Sequence, residues 1–176
     1  MFKAHLEKRG LTDKISAWIS YEEEIVRFPI WTLDGKLIGY QRYNWQAGKL
    51  RSNNEWGRYI TKVNDAYKAM AFWGAEHFYN SEEIFYTEGI WNAIRIINAG
   101  YAALALLTCS PHKQLRSYLK LINKNRRTIV ICDKDDNKAG EKLKHVGDEH
   151  YFPPAPDIND MNQNDANLWL NQIVRT

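Results

Sequence analysis

Carboxylates follow two apolar, strand-like runs in the second half of the sequence and one proline-rich turn near its end. Glu88 comes after IFYT, Asp133 and Asp135 come after TIVIC, and Asp157 and Asp160 come after FPPAP. Ligands bind beyond the carboxyl ends of strands in open α/β sheets, so we expect these acids to meet at one sheet edge. Acids gathered there repel one another unless a cation lies among them, and Mg²⁺ or Mn²⁺ suits such oxygen donors. The pattern predicts a divalent-metal site, whereas each aspartate taken singly also suits a turn or a helix cap.

Basic and aromatic residues are concentrated between positions 36 and 68, where seven lysines and arginines accompany two acids. Clustered cations suit a phosphate backbone, and interleaved aromatic rings suit unpaired bases. Most of the tryptophans are candidates for the core, and Trp45 and Trp56, which lie in this basic region, are the two candidates for stacking on bases. A solvated polar surface is the alternative interpretation of this segment. The cations are Lys36, Arg42, Lys49, Arg51, Arg58, Lys62 and Lys68.

A second basic pattern occurs along a predicted helix at residues 111–122 and just beyond it. Lys113, Arg116, Lys120 and Lys124 fall on one helical face. This face could contact DNA, but a solvated helix surface is the interpretation that the spacing favours.

Composition and cysteine usage limit the class of protein. The chain has 176 residues, of which 44% are hydrophobic and 26% charged, as in a folded globular protein. No apolar run approaches the roughly 18 residues of a membrane span, and the start MFKAHLEKRG lacks the apolar core of a secretory signal. Cys109 and Cys132 fit neither a zinc ribbon nor a disulfide framework, and His112 and His145 lack a partner at ligand spacing. We therefore expect no zinc, no membrane contact and a cytoplasmic location.

Hydrophobic patterning divides the chain near residue 80. Before this point we predict two short helices within residues 2–18, a β-hairpin that turns at Asp34 and Gly35, and a short helix near residues 64–70. Residues 1–80 are therefore predicted to form a small basic α+β module.

After this point, predicted strands alternate with predicted helices. The strands are at residues 84–87, 101–106, 128–132 and near 151, and the helices are at residues 90–99, 111–122, 139–145 and from 166 onward. Such alternation predicts a mostly parallel sheet flanked by helices, which we assign to an α/β domain over residues 81–176.

The acidic motifs together resemble the Toprim family, in which a glutamate follows the first strand and an Asp-x-Asp pair follows a later one. The matching segments are YTEGIWNAI with Glu88, IVICDKDDNKAG with Asp133 and Asp135, and PDINDM with Asp157 and Asp160. The resemblance covers the second half of the chain and implies a Toprim fold. It also implies that Glu88, Asp133 and Asp135 are catalytic and bind the metal, with Asp157 and Asp160 as further metal ligands.

The first half is similar to the catalytic core of bacterial and phage DNA primases. The similarity is carried by HLEKRGLTDKISAW, RFPIWTLDGKLIGYQR, RYI and KAMAFWG, which occur in the family's order. It implies that Arg42, Arg58 and Lys68 hold the template and the incoming nucleotide. The implied activity is synthesis of short RNA primers from ribonucleoside triphosphates on single-stranded DNA, in a bacterial or phage-infected cytoplasm. The implied partner is a replicative helicase or a separate zinc-module protein, since neither region is recognisable here.

Three features depart from the primase pattern. Asn92 stands where the family has an aspartate, and the loop LLTCSPH contains no glycine. The segment DKDDNKAG is longer than the common spacing, so Asp135 with Asn137 is an alternative to Asp133 with Asp135. We favour the pair that begins at Asp133, because this residue directly follows the apolar strand. Two alternative functions remain: a non-catalytic Toprim protein that binds nucleic acid or a replication partner, and a Toprim nuclease or topoisomerase component.

Overall fold

The described part of the chain forms two β-sheets, the first antiparallel and the second parallel. The computed structural model describes residues 1–47, 57–78, 81–134 and 140–176. The strands are β1 (Trp18–Ser20), β2 (Ile25–Trp31), β3 (Leu37–Asn44), β4 (Tyr59–Val63), β5 (Glu83–Thr87), β6 (Ala102–Ala105), β7 (Arg127–Ile131) and β8 (Glu149–Tyr151). The helices are α1 (Phe2–Lys8), α2 (Ile90–Asn98), α3 (Lys113–Ile122) and α4 (Gln163–Val174), with 3-10 helices at Lys68–Met70, Ala75–His77, Gly140–His145 and Ile158–Asp160. Within these ranges the longest helix, α4, has 12 residues, and none of the helices could span a bilayer.

The first sheet has the order β1-β2-β3-β4 and is built around the predicted hairpin, which is confirmed. Val26 and Phe28 alternate along β2 and are fully buried, as the two-residue period of a strand requires. Between β2 and β3 the N–H of Thr32 donates to the carbonyl of Lys36 at 2.9 Å, and Gly35 adopts a φ of +81°. That backbone angle favours glycine, which is why the Asp-Gly pair predicts the turn.

The first part of the chain also departs from expectation. The predicted second helix within residues 2–18 is wrong: the N–H of Ile15 donates to the carbonyl of Thr12 in a turn, and β1 follows. Strands β1 and β4 escape prediction because β1 has three residues and every residue of β4 is at least partly exposed. Neither strand therefore shows apolar alternation.

The second sheet has the order β6-β5-β7-β8 with every pair parallel, which confirms the predicted parallel sheet. Phe85 of β5 and Ile129 of β7 belong to the hydrophobic cluster on one face, where α2 and α4 pack. Ile84 of β5 and Val130 of β7 belong to the cluster on the other face, where α3 and Gly140–His145 pack. Successive side chains of a strand point to opposite faces, so a continuous apolar run is the pattern of a strand buried on both.

A shared hydrophobic cluster joins the two sheets. The rings of Phe28 and Tyr43 meet the ring of Trp91 in α2 edge to face, with centroids 5.1 and 5.2 Å apart. Trp73 exchanges two backbone hydrogen bonds of 2.9 Å with Ala105, which attaches the end of the first part to β6. The division of the chain near residue 80 stays a prediction, and hydrophobic packing runs across it.

Gly39 in β3 lies directly against the backbone of β4. A Cβ atom at this position would lie 2.1 Å from the carbonyl oxygen of Lys62 and 2.7 Å from Cα of Val63. Gly39→Ala should therefore push the strands apart and lower the free energy of unfolding by about 1–3 kcal/mol, measured by urea denaturation.

Gly89→Ala is the matched control for this substitution. Gly89 has a φ of −110° that any residue adopts, and an added Cβ would meet nothing within 4 Å. We expect this change to cost less than about 1 kcal/mol. Equal effects at the two glycines would contradict the close approach of β4 to β3.

Candidate active site

The carboxyl ends of β5 and β7 bring Glu88 and Asp133 to the same edge of the parallel sheet. Tyr86 of β5 is in register with Val130 of β7, and the two acids follow these residues in neighbouring strands. Both acids are partly buried. The carbonyl of Glu88 accepts the N–H of Leu107 at 2.9 Å, which anchors the loop after β6 at this edge. The topology thus delivers two acids to the edge where α/β sheets bind ligands.

Asn92 contacts Asp133 from the first turn of α2. Its side chain is 3% exposed, and Nδ2 donates a hydrogen bond to Oδ1 of Asp133 at 2.8 Å. A neutral amide donor at this distance stabilises the ionised carboxylate and fixes its orientation. Asn92, which stands where the primase family has an aspartate, therefore forms a hydrogen bond with a candidate metal ligand.

The segment that carries Asp157 runs beside the segment that follows β7. The N–H of Lys134 donates to the carbonyl of Pro156 at 2.8 Å, so the two segments are joined next to Asp133. Asp157 also caps Ile158–Asp160, because its Oδ1 accepts the N–H of Asn159 at 2.7 Å. The cap is the local role that aspartates commonly take after a turn. Metal binding by Asp157 and Asp160 stays a prediction.

Arg95 on α2 is bonded to the segment that carries Asp157. The sequence patterns did not identify Arg95 as a candidate site residue. The guanidinium is almost fully buried and donates to the carbonyls of Lys8 and Asn159 at 3.2 and 3.4 Å and to Oε1 of Gln163 at 3.1 Å. Burial lowers the pKa of Arg95, and the charge of Asp157 acts in the opposite direction. The only signal in the sequence is a single charged residue within the largely apolar helix IWNAIRIIN.

A cleft of about 530 Å³ opens between β4 with the 3-10 helix that follows it and the loop after β6. Lys62 and Lys68 line the first wall, and His112 lines the second. Leu107, whose N–H bonds to the carbonyl of Glu88, also lines the cleft. The predicted nucleotide-binding residue Lys68 therefore lines the same cleft as Leu107, whose backbone is bonded to that of Glu88. Lysines in such a position suit a phosphate group.

The predicted nucleic-acid residue Arg42 lies outside the lining of this cleft. It is partly buried on β3 and pairs with Arg27 of β2 and Ile60 of β4. Lys62 pairs with Tyr40, two positions before Arg42, so Arg42 and Lys62 share one face of the first sheet. Arg42 thus lies on the same sheet face as the cleft residue Lys62 but outside the cleft lining.

Arg58 lies near α1 and outside the lining of the cleft. Its Nε donates to the carbonyl of Ala47 at 2.9 Å. Burial lowers the pKa of His5 in α1, and the positive charges of Arg9 and Arg58 lower it further. Trp45 packs in the same region, with its ring stacked 5.2 Å from that of His5. Base stacking by Trp45 stays a prediction, and Trp56 lies outside the described residues.

The acidic edge fits a hard divalent cation by the chemistry of its donors. Glu88 and Asp133 supply carboxylate oxygens, the ligands that Mg²⁺ and Mn²⁺ prefer. Asp135 and the alternative partner Asn137 lie outside the described residues, so the choice of register stays a prediction. Within the described ranges, no three His, Cys, Asp or Glu side chains form a group that could hold a metal ion.

Solved primase structures have the same fold as this chain. The primase fragment of the bacteriophage T7 primase-helicase protein gives a TM-score of 0.66 at 17% identity, covering 98% of this chain and 70% of that one. The Aquifex aeolicus primase, with zinc-binding and RNA polymerase domains, gives 0.65 at 15% identity over 98% of this chain and 55% of that one. The RNA polymerase domain of Mycobacterium tuberculosis primase DnaG, in complex with a double-stranded DNA oligomer with a 6-nucleotide overhang, gives 0.65 at 15% identity over 98% and 60%.

No family model and no curated protein matches the sequence. The structural likeness shows that the chain has the fold of a primase-type Toprim core, which confirms the predicted fold class. The chain spans between 55% and 70% of these three solved chains.

Asn92→Asp tests whether Asp133 faces a cation site. The substitution places a second carboxylate where an amide now donates at 2.8 Å, and like charges at that distance disfavour the folded state. We expect the melting temperature in EDTA to fall by several degrees, roughly 1–3 kcal/mol of stability, and millimolar Mg²⁺ to recover most of it.

Asn92→Ala is the control, because it removes the hydrogen bond without adding charge. It should lose stability equally with and without Mg²⁺. If Mg²⁺ stabilises the two variants by the same amount in thermal melts, the cation site lies away from Asp133.

Proposed function

We propose that this chain is the catalytic core of a DNA primase, which synthesises short RNA primers on single-stranded DNA. The observation that carries the proposal is a primase-core fold in which a lysine-lined cleft adjoins the acidic carboxyl edge of the sheet. In this reaction the 3′-hydroxyl of one nucleotide attacks the α-phosphate of a ribonucleoside triphosphate. A new phosphodiester bond forms, the bond to the β-phosphate breaks, and pyrophosphate leaves.

The acidic edge is proposed to hold Mg²⁺ or Mn²⁺ through Glu88, Asp133 and Asp135, with Asp157 or Asp160 assisting. A divalent ion bound there supplies charge stabilisation for the attacking oxygen and the leaving pyrophosphate. Neighbouring side chains fix the geometry of this edge. Asn92 orients the carboxylate of Asp133 through a hydrogen bond. Arg95 holds the segment that carries Asp157 against α2.

The basic residues are proposed to hold the substrates. Lys68, with Lys62 beside it in the cleft, suits the phosphates of the incoming nucleotide. Arg42 and Arg58 are proposed to bind the template through its phosphates. The proposed partners are single-stranded DNA, ribonucleoside triphosphates, and a replicative helicase or a separate zinc-module protein. The similar T7 fragment comes from a primase-helicase protein, and the similar M. tuberculosis domain was solved with DNA.

A non-catalytic nucleic-acid-binding protein is the second candidate function. The observation that favours it is Asn92, an uncharged residue against Asp133. The acidic edge carries one less negative charge than an aspartate there would give, which weakens its attraction for cations. Primer synthesis distinguishes the two candidates directly.

Glu88→Gln should abolish primer synthesis. The substitution keeps the size of the side chain and removes the charge proposed to hold the metal, so we expect a rate loss of at least about 100-fold. Products are measured from labelled ribonucleotides on random single-stranded DNA with Mg²⁺ or Mn²⁺. The matched control is Glu82→Gln, an exposed acid just before the amino end of β5, which should leave the rate unchanged. Product formation that survives the loss of Glu88 would contradict the proposal, and absence of products from the parent protein would favour the second candidate.

Lys68→Ala should weaken binding of single-stranded DNA or of a ribonucleoside triphosphate. Loss of one phosphate contact with single-stranded DNA should reduce the slope of log K against log salt by about 0.7. Fluorescence titrations at several salt concentrations measure this slope. Lys142→Ala is the control, because Lys142 is exposed in the 3-10 helix beside β7 and β8. The same slope change at both lysines would remove Lys68 from the proposed site.

A further inference from the structure

The exposed face of α3 carries a row of cations that the proposed active site does not use. Between Glu88 and Asp133 the sequence contains no acid and seven lysines and arginines. Three of these cations, Lys113, Arg116 and Lys120, are exposed on α3 at spacings of three and four residues, which place them on one helical face. The opposite face is buried through Leu115 and Leu119.

Arg126 and Arg127, which follow α3, have partners in the fold, whereas Lys124 is exposed beyond the end of the helix. Arg127 forms a bidentate ion pair with Glu149, and Arg126 lies 4.3 Å from the ring centroid of Phe78 and donates to its carbonyl. Across the part of the chain that the structure describes, Lys113, Arg116 and Lys120 make no ion pair and no side-chain hydrogen bond. Like charges three and four residues apart reduce helix stability slightly, so folding gives no reason to gather them.

The start of α3 borders the cleft, and its exposed cations lie outside the cleft lining. His112, the N-cap residue of α3, lines the cleft together with Lys62 and Lys68. The 3-10 helix at Lys68–Met70 also packs against α3. Lys113 and Lys120 are seven residues apart, so at about 1.5 Å per residue the cations span roughly 10 Å along α3.

We propose that this face of α3 binds the sugar-phosphate backbone of the nucleic-acid strand that passes through the cleft, and this rests on the proposed function. None of the exposed residues of α3 is aromatic. Tyr118 is partly buried and lies 6.4 Å from the ring of Phe72. Bases therefore have no stacking platform there, and the contact is with phosphates and independent of sequence.

The test is a triple variant, Lys113→Gln/Arg116→Gln/Lys120→Gln, against a control with the same loss of charge. Glutamine keeps the helix propensity of these positions, and circular dichroism verifies the fold. The control is Lys3→Gln/Lys8→Gln/Lys14→Gln, which removes three exposed cations from a surface that also contains Glu7 and Asp13.

Binding is measured by fluorescence anisotropy with a single-stranded DNA and with an RNA–DNA hybrid, each at several salt concentrations. The triple variant in α3 should reduce the salt slope by about 2 for the single strand, or about 2.7 for the hybrid, and lower affinity at least about tenfold at low salt. The control should keep the parent slope within about half a unit. The probe that shows the loss identifies whether the bound strand is unpaired or part of the hybrid.

Three outcomes would overturn the proposal. If the α3 variant binds nucleic acid as the parent does, the face is a solvated surface. If the two triple variants lose the same affinity, the loss comes from the change in net charge and not from the position of the cations. Binding to anionic lipid vesicles that depends on α3, with no change for either nucleic acid, would assign the face to a membrane.

The experiment separates this proposal from the proposed function. Glu88→Gln should bind both nucleic acids with the parent salt slope, because it leaves α3 intact. The α3 variant should raise the KM for template and keep kcat at saturating template. A reduced slope in a protein that makes no primers would retain the α3 surface and reject the primase proposal.

Discussion

Burial of α2 is the constraint on which the rest of the structure depends. Its residues from Ile90 to Ile96 are all less than 5% exposed, because the parallel sheet covers one side and the first sheet covers the other through Trp91. Polar groups survive such burial only with hydrogen-bond partners. The polar side chains of this stretch are Asn92 and Arg95. Their partners are Asp133 and the segment that follows β8, so the packing of one helix organises the candidate site.

Charge is separated across the fold in a way that suits the proposed substrates. The carboxyl edge of the parallel sheet presents Glu88 and Asp133, which attract a divalent cation. The cleft beside it presents Lys62 and Lys68, which attract phosphate. A nucleotide with its metal carries both kinds of charge and therefore fits the boundary between these surfaces. A net charge of +3 hides this arrangement, because it averages over the whole chain.

The parallel sheet is predictable from the sequence and much of the first sheet is not, because only strands that are buried leave an apolar pattern in the sequence. Strands β5 and β7 are buried on both faces, so each appears as an apolar run bounded by polar residues. The hairpin is predictable because its turn needs a positive φ at Gly35. Every residue of β4 is at least partly exposed, and its pairing with β3 depends on the bare backbone of Gly39 rather than on any apolar pattern.

The sequence by itself determined which residues end the buried strands, and therefore that Glu88 and Asp133 emerge at one edge of a parallel sheet. That inference is local, because a strand's end and the direction of its neighbours follow from short patterns. Only the tertiary structure decided the contacts between Asn92 and Asp133, 41 residues apart, and between Arg95 and Lys8, 87 residues apart. It also decided that Lys68 lines a cleft while Arg42 does not. These relations depend on how α2 packs between two sheets, and no pattern along the chain records the position of a side chain relative to residues so distant in sequence.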